Sequence, residues 1–137
     1  ASASASANPP VSSSSNKKSN MTTNSHTIDA AGKSLGRIAS DAAKHLMGKT
    51  RADYTPHIFS DVKVKITNAS QLRIRDKKRL SQKYQNYSGY PSGLREETLE
   101  RLSARKGYGA AVRLAVTRML PNNTMRPKRL KNLTVSE

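Results

Sequence analysis

One segment of the chain, SLGRIASDAAKHLMG at residues 34–48, has an apolar pattern that only a helix can align. Its apolar residues fall at positions i, i+3, i+4, i+7, i+8, i+11 and i+12, which places all of them on one helical face. Ser34 is a suitable N-cap and Gly48 a suitable C-terminal stop. Such a helix must bury its apolar face, so the chain contains a folded domain. The stripe consists of Leu35, Ile38, Ala39, Ala42, Ala43, Leu46 and Met47.

Three further stretches have the pattern of strands. VKVKIT at residues 62–67 alternates apolar and polar side chains, which predicts a strand with one apolar face. The short segment HTIDA at residues 26–30 predicts a first strand, and Leu72 and Ile74 belong to a second alternating run. Strands that precede and follow helices favour an α/β domain.

The second half of the domain is less regular. GYPSG at residues 89–93 predicts a turn or exposed loop, and the polar stretch 94–106 predicts only a short helix. A second amphipathic helix begins at Gly107 and stops at Pro121. A short basic helix and an extended LTV at residues 133–135 complete the chain.

The first 25 residues differ in composition from the rest. They are rich in Ala and Ser, contain no acidic residue and carry charge only at Lys17 and Lys18. They hold too few apolar residues to offset the entropy of ordering them. We therefore expect a low-complexity extension at residues 1–25 and one domain at residues 26–137. The extension contains no Arg, unlike most organelle transit peptides, so we expect a cytoplasmic location.

The domain carries a large uncompensated positive charge. The whole chain has 25 Lys and Arg against 9 Asp and Glu, a net charge of +16. Residues 26–137 hold 23 of those basic residues and all 9 acidic ones, a balance of +14. Residues 73–83 contain six basic groups and one Asp, and residues 118–131 contain five and no acid. Because such charge makes the compact state repel itself, it indicates a polyanionic partner.

Several function classes are disfavoured by residues that the chain lacks. Without Cys there is no disulfide, Cys zinc site or thiol nucleophile. His26, His45 and His57 do not have metal-ligand spacing, and we expect His45 at the surface. We expect Glu96, Glu97 and Glu100 to form a solvated face. No run approaches the roughly 18 apolar residues of a membrane span. We predict no enzyme, metal, cofactor, membrane partner or small-molecule substrate.

Gly32-Lys33-Ser34 has the composition of the end of a nucleotide-binding P-loop. That motif needs a glycine five residues earlier, where this chain has Thr27. Without that glycine the loop cannot wrap phosphates, so a tight turn into the helix is the simpler interpretation.

Aromatic residues next to the first basic cluster favour RNA as the polyanion. Tyr84, Tyr87 and Tyr90 are spaced by three and lead into the glycine-containing loop at Gly89. Exposed Tyr rings stack on unpaired bases, although we expect at least one of these rings to cover the sheet. Asn122 lies in a basic turn, where it contacts RNA or only shapes the turn. The basic residues are dispersed over loops and helix ends, which suits folded RNA better than a DNA groove.

Four blocks of sequence, in order, resemble a known family. They are IDAAGKSLGRIAS with HLMGK, YTPH with SDVKVKITNAS, KYQNYSGYPSGL, and AVTRMLPNNTMRPKRLKNLTV. Together they resemble the bacterial-type large-subunit ribosomal protein thirteen family over about residues 26–135. The chain departs from the family pattern at His26, Ser60, Arg118 and Arg126, and two of these departures add positive charge.

The resemblance implies a three-layer α/β/α domain around a small, mostly parallel sheet. It implies a structural constituent of the large ribosomal subunit that binds large-subunit rRNA, supports its folding and assembly, and contacts neighbouring ribosomal proteins. The alternative is a free-standing RNA-binding regulatory protein. Together with the charge and aromatic patterns, the family resemblance predicts RNA contacts at Lys49, Arg51, Arg73, Arg75, Lys77, Lys78, Arg79, Lys83, Tyr84, Tyr87, Gly89, Tyr90, Arg118, Asn122, Arg126, Lys128, Arg129 and Lys131.

Overall fold

A computed structural model of the chain describes residues 25–137. The predicted extension at residues 1–25 therefore lies outside the described residues, except for Ser25. In chain order the elements are β1 (Ser25–Asp29), α1 (Leu35–Met47), β2 (Lys63–Thr67), a 3-10 turn (Ala69–Gln71), α2 (Asp76–Ser81), β3 (Lys83–Tyr87), β4 (Leu94–Thr98), α3 (Leu99–Lys106), α4 (Tyr108–Met119), α5 (Arg126–Lys131) and β5 (Leu133–Val135).

A three-stranded parallel sheet forms the centre of the domain. Its strand order is β1-β2-β5, and the register aligns His26 with Val64 and Val64 with Leu133. On one face of this sheet the residues are buried, and they join the buried residues of α1 and α4 in one core cluster. The predicted α/β class with a small parallel sheet is confirmed.

The opposite face of this sheet is polar and exposed. Thr27, Lys65 and Thr134 align across the three strands, and all three are exposed. Within residues 25–137, helices therefore cover one face of the sheet, which differs from the three layers that the family resemblance implied. The physical reason is the alternation in β2, where Lys63 and Lys65 separate the apolar residues and leave one face with nothing to bury.

The helices pack on one another as well as on the sheet. α1 lies against α4, and Ile38, Leu46, Val112 and Val116 are fully buried. The predicted stop of α1 is confirmed, because Gly48 adopts the left-handed conformation. Ser34 occupies the N-cap position with extended backbone, but its side chain makes no capping hydrogen bond. A second, smaller cluster of Leu99, Leu102 and Ala111 joins α3 to α4.

The second alternating run, at Leu72 and Ile74, is not a strand, and that prediction was wrong. The chain makes a 3-10 turn, runs irregularly through residues 72–75 and enters α2. Both apolar side chains still contact the core. The backbone N–H of Arg73 donates to the carbonyl of Lys33 at 3.0 Å, so it bonds to a turn rather than to a neighbouring strand.

A β-hairpin occupies the region predicted as a loop and a polar stretch. β3 and β4 pair antiparallel, with Tyr87 opposite Leu94. The turn between them contains the GYPSG segment, which confirms the predicted loop, and both Gly89 and Ser92 have positive φ. β4 was not predicted, because LREET contains a single apolar residue and three of its five residues are exposed.

Candidate RNA-binding surface

The turn between β1 and α1 is fixed to the segment that precedes α2. Gly32 donates its N–H to the carbonyl of Gln71 at 3.0 Å, and the Lys33 carbonyl accepts from Arg73. Gly32 has φ +68°, a conformation that favours glycine. These contacts bring the start of α1 next to the first basic cluster, although 40 positions separate Lys33 from Arg73.

A cleft of about 530 Å³ lies where these two segments meet, and we call it the α1-start cleft. Arg73, Arg75 and Lys78 were predicted to bind RNA, whereas Lys33 and Arg37 were missed. A signal for these two existed in the sequence, because they lie four residues apart at the start of a helix with no acid in its first turn. Cations are unfavourable at that positive end of a helix unless an anion joins them. Among residues 25–137, the cations that line the cleft are Lys33, Arg37, Arg73, Arg75 and Lys78, and no carboxylate of these residues lines it.

A second cleft, of about 610 Å³, lies between the end of α1 and the segment after α4, and we call it the C-terminal cleft. Lys49 and Arg118 are exposed there, while Arg129 is almost fully buried. No carboxylate lines this cleft either. Its remaining lining residues are Met47, Tyr54, Pro56, Met119, Leu120, Pro121 and Asn123.

A smaller groove, of about 170 Å³, connects the two clefts. It shares Lys78 with the α1-start cleft and Arg118 with the C-terminal cleft, and it passes Tyr84 between them. No acidic residue lines it. The fold therefore joins residues from both basic clusters of the sequence into one continuous basic surface, which we define as the two clefts with this groove.

Other predicted RNA contacts lie beside this surface on the short helices. Lys77 is exposed on α2, a helix that buries no residue in the core. Arg79 is half-buried, and its guanidinium lies 4.0 Å from the exposed Asp76 carboxylate. On α5, Lys128 and Lys131 are exposed. Arg51 and Asn122 are exposed, and Arg126 is half-buried.

The three tyrosines fall into two environments. Tyr84 packs against the second core cluster, and the Arg118 guanidinium carbon lies 5.4 Å from its ring centroid. Burial raises the pKa of Tyr84, and the charge of Arg118 opposes that rise. Tyr87 and Tyr90, near the tip of the hairpin, are 62% and 75% exposed. We expected at least one ring to cover the sheet. Tyr84 is half-buried, but it packs against α3 and α4, while Tyr87, three residues further along β3, points to the opposite face.

The acidic residues of the hairpin, the exposed Glu96 and the half-buried Glu97, are ion-paired, which refines the expectation of a solvated face. Glu96 accepts from Lys83 at 3.0 Å and also from Gln85, and these bonds hold the pKa of its carboxyl below the usual value. Glu97 accepts two hydrogen bonds from Arg105, which lower the pKa of its carboxyl in the same way. The charge of Lys83, a predicted RNA contact, is therefore compensated within the fold.

The histidines form no recognisable metal site. His26 and His45 stack with ring centroids 4.3 Å apart, so His45 is half-buried rather than on the surface as predicted. Burial lowers the pKa of His45, and the neighbouring His26 lowers it further. Among residues 25–137 no group of three or more His, Asp or Glu residues is placed to hold a metal ion. Over the same residues, no helix is long and apolar enough to span a membrane.

Comparison with known proteins places the chain in a family. The family model for ribosomal protein L13 matches residues 23–137. The chain is 40% identical to large ribosomal subunit protein uL13 of Chlamydia pneumoniae over 119 residues, covering 86% of this chain and 79% of that protein. It is 40% identical to the uL13 protein of Nitrosococcus oceani over 110 residues, 80% of this chain and 77% of that protein. For the uL13 protein of Aquifex aeolicus the identity is 43% over 108 residues, 79% and 74% of the two chains.

The matched region contains every element of the fold and the whole basic surface. The family consists of structural, non-enzymatic ribosomal proteins. The chain therefore belongs to the ribosomal protein L13 family, which confirms the resemblance seen in its sequence and the prediction that it is not an enzyme.

Proposed function

We propose that this chain is a structural constituent of the large ribosomal subunit and binds large-subunit rRNA through its continuous basic surface. The observation that carries the proposal is that surface, because it joins two clusters distant in sequence and no carboxylate lines it. The names of the relatives, large ribosomal subunit proteins, support rRNA as the polyanion.

The chemistry of the surface favours contacts with the RNA backbone. Its charged side chains are all Lys and Arg, which bind phosphate oxygens and fix the position of a protein on RNA without reading its sequence. The surface runs from one cleft through the groove to the second cleft. This shape fits a folded RNA strand better than it fits one groove of a regular double helix. With about 6–10 phosphate contacts, the affinity falls roughly 10³–10⁵-fold between 50 and 200 mM salt.

The hairpin tip provides a second kind of contact. Tyr87 and Tyr90 are exposed, and the left-handed backbone at Gly89 keeps the turn narrow beside them. Exposed rings of this kind stack on unpaired bases. By contacting the RNA backbone on one surface and unpaired bases at the tip, the protein stabilises the folded rRNA and supports assembly. Neighbouring ribosomal proteins in the cytoplasmic ribosome complete its surroundings.

Co-sedimentation tests the proposal and distinguishes it from the alternative of a free-standing regulator. Ribosomes are separated into subunits on sucrose gradients in low salt and again after a high-salt wash, and the chain is detected by mass spectrometry. We expect it in the large-subunit fraction under both conditions. Recovery only in the free fractions supports the regulator and contradicts the proposal. A matched chain with Lys33, Arg37, Arg73 and Arg75 replaced by Gln is expected in the free fractions after the wash.

A further inference from the structure

Arg129 is a buried arginine without an acidic partner. Its residue is 2% exposed, and its Nε has no hydrogen-bond partner among residues 25–137. Its Nη2 lies 3.8 Å from the sulfur of Met125, which is a weak acceptor. No ion pair within the same residues includes Arg129. Residues 1–24 contain no Asp or Glu, so they cannot supply a side-chain carboxylate to Arg129.

Such a burial is unfavourable for the fold. A guanidinium keeps its proton at any pH at which proteins are folded, so it cannot avoid the desolvation cost by becoming neutral. An unpaired buried charge destabilises the folded state, and apolar residues of similar volume are often more stable at such positions. Met has an extended, apolar side chain of similar length, so it could occupy this buried position without a charge. The positive charge is therefore not explained by the fold.

The surroundings of Arg129 indicate what the charge is for. Its side chain lines the C-terminal cleft, together with the exposed Lys49 and Arg118. The cleft holds about 610 Å³, ample space for a phosphate group, and no carboxylate competes there. The planar guanidinium can donate two parallel hydrogen bonds to the oxygens of one phosphate.

We propose that the C-terminal cleft is a binding site for a single backbone phosphate of RNA, with Arg129 as its buried ligand. Lys49 and Arg118 supply the outer charges of the site. The inference rests on the proposed function for the source of the phosphate. It adds that Arg129 weakens the free protein and that the bound phosphate compensates this cost.

Thermal unfolding of the free full-length chain tests the site without RNA. Melting temperatures are compared in sodium phosphate and in sodium chloride of equal ionic strength. For the wild type we expect a higher Tm in phosphate, since a ligand that binds only the folded state stabilises it. Arg129→Met should melt several degrees above the wild type in chloride and should gain clearly less than the wild type from phosphate, because the α1-start cleft and the general stabilising effect of phosphate remain. The matched control Arg101→Met, at an exposed position on α3, should leave both values at the wild-type level.

Two results overturn the inference. One is an equal gain in Tm from phosphate for Arg129→Met and the wild type. The other is a lower Tm for Arg129→Met in chloride, which would make the arginine a structural residue. If Arg129→Met does not fold, Arg129→Lys decides the question. It keeps the charge but not the planar fork, so its gain from phosphate should be clearly smaller, and an undiminished gain overturns the inference.

Binding to deproteinised large-subunit rRNA then tests the source of the phosphate. We expect Arg129→Met to bind roughly 10- to 100-fold more weakly than the wild type, with a salt dependence reduced by about one phosphate contact. If the wild type does not bind this RNA, the proposed function fails while the unfolding data still judge the site. If the wild type binds and Arg129→Met binds equally well, only the inference fails. A gain from inorganic phosphate without an effect on RNA binding also contradicts an RNA phosphate at this site.

Discussion

Two regions of the molecule contain the same number of cations but differ in the acidic residues available to pair with them. Residues 83–106, the hairpin with α3, contain five basic residues and three acidic ones. Residues 118–131 contain five basic residues and no acid. In the first region Arg105 is held by two hydrogen bonds from its guanidinium to Glu97. In the second, Arg129 is buried without a carboxylate. The position of the acidic residues, more than the number of cations, therefore decides which cations form ion pairs within the fold and which are left to bind a partner.

The same distinction applies to the first basic cluster of the sequence. Lys83 ends that cluster, and its charge is compensated by Glu96. Arg73, Arg75 and Lys78, from the same cluster, line a cleft without any carboxylate. A run of basic residues therefore contains both kinds of charge, and only the fold separates them.

The largest expected effect comes from neutralising together the three cations of α5 that lie beside the basic surface and extend its positive charge. Replacing Arg126, Lys128 and Lys131 together by Gln should lower the affinity for large-subunit rRNA by about 100-fold or more at low salt, because about three phosphate contacts are lost. The salt dependence of binding should weaken by about 2–3 in slope. Filter binding over a series of salt concentrations measures both quantities.

The matched control removes three cations from the other region, as Arg95→Gln, Arg101→Gln and Arg105→Gln. We expect it to lose less than about tenfold in affinity, since these residues lie among carboxylates. An equal loss for the two triple variants would break the comparison and attribute binding to net charge alone.

A smaller effect is expected at the α1-start cleft. Lys33→Gln with Arg37→Gln should reduce rRNA affinity by about tenfold, as the loss of one or two phosphate contacts predicts. Both side chains are exposed, so the Tm should remain within a degree or two of the wild-type value. A double variant with unchanged affinity would remove this cleft from the binding surface.

Within the hairpin, the exposed tyrosines and the half-buried tyrosine are expected to affect different properties. Tyr87→Ala and Tyr90→Ala should each weaken RNA binding by about fivefold through lost stacking, with the Tm unchanged. Tyr84→Ala should instead destabilise the domain by about 1–2 kcal/mol, because its ring packs against Leu99 and Leu102. Urea unfolding and filter binding of the three variants measure the two effects. Equal losses of stability at all three positions would contradict this division.

The smallest effect is an acid dependence of stability from the hairpin ion pairs. The folded-state pKa of Glu97 lies below its ordinary value because Arg105 donates hydrogen bonds to the carboxylate. The stabilisation is present above the ordinary value, about 4.5, and is lost as the pH falls through the lower folded-state value. Glu97→Gln should therefore show a smaller fall of Tm between pH 6 and about pH 3 than the wild type. Superimposable acid curves for the two proteins would show that this pair contributes nothing.

Much of the fold follows from side-chain periodicity in the sequence. The stripe from Leu35 to Met47 and the alternation in residues 62–67 each bury one face, and the structure has the helix and the strand there. β4 was not predictable in this way, since it contains a single apolar residue and its pairing with β3 depends on the turn. The second alternating run misled because Leu72 and Ile74 contact the core from an irregular segment.

The candidate site was predictable only in part, for a related reason. Sequence clusters identify cations that are neighbours along the chain, and five of the eight cations that line the basic surface belong to them. Lys33 and Arg37 join that surface because backbone hydrogen bonds attach the turn before α1 to residues 71–73. Likewise, the burial of Arg129 depends on how the six-residue α5 packs, and a short basic helix does not reveal which of its cations faces inward.

Lysine footprinting tests most directly whether uncompensated cations, and not net charge, form the binding surface. The full-length chain is acetylated briefly, free and bound to large-subunit rRNA, and the reactivity of each lysine is measured by mass spectrometry. We predict strong protection by RNA at Lys49, Lys78 and Lys128, and unchanged reactivity at Lys106, which is exposed near the carboxylates of the hairpin region. Uniform protection of all four lysines, or protection confined to Lys106, would contradict this account.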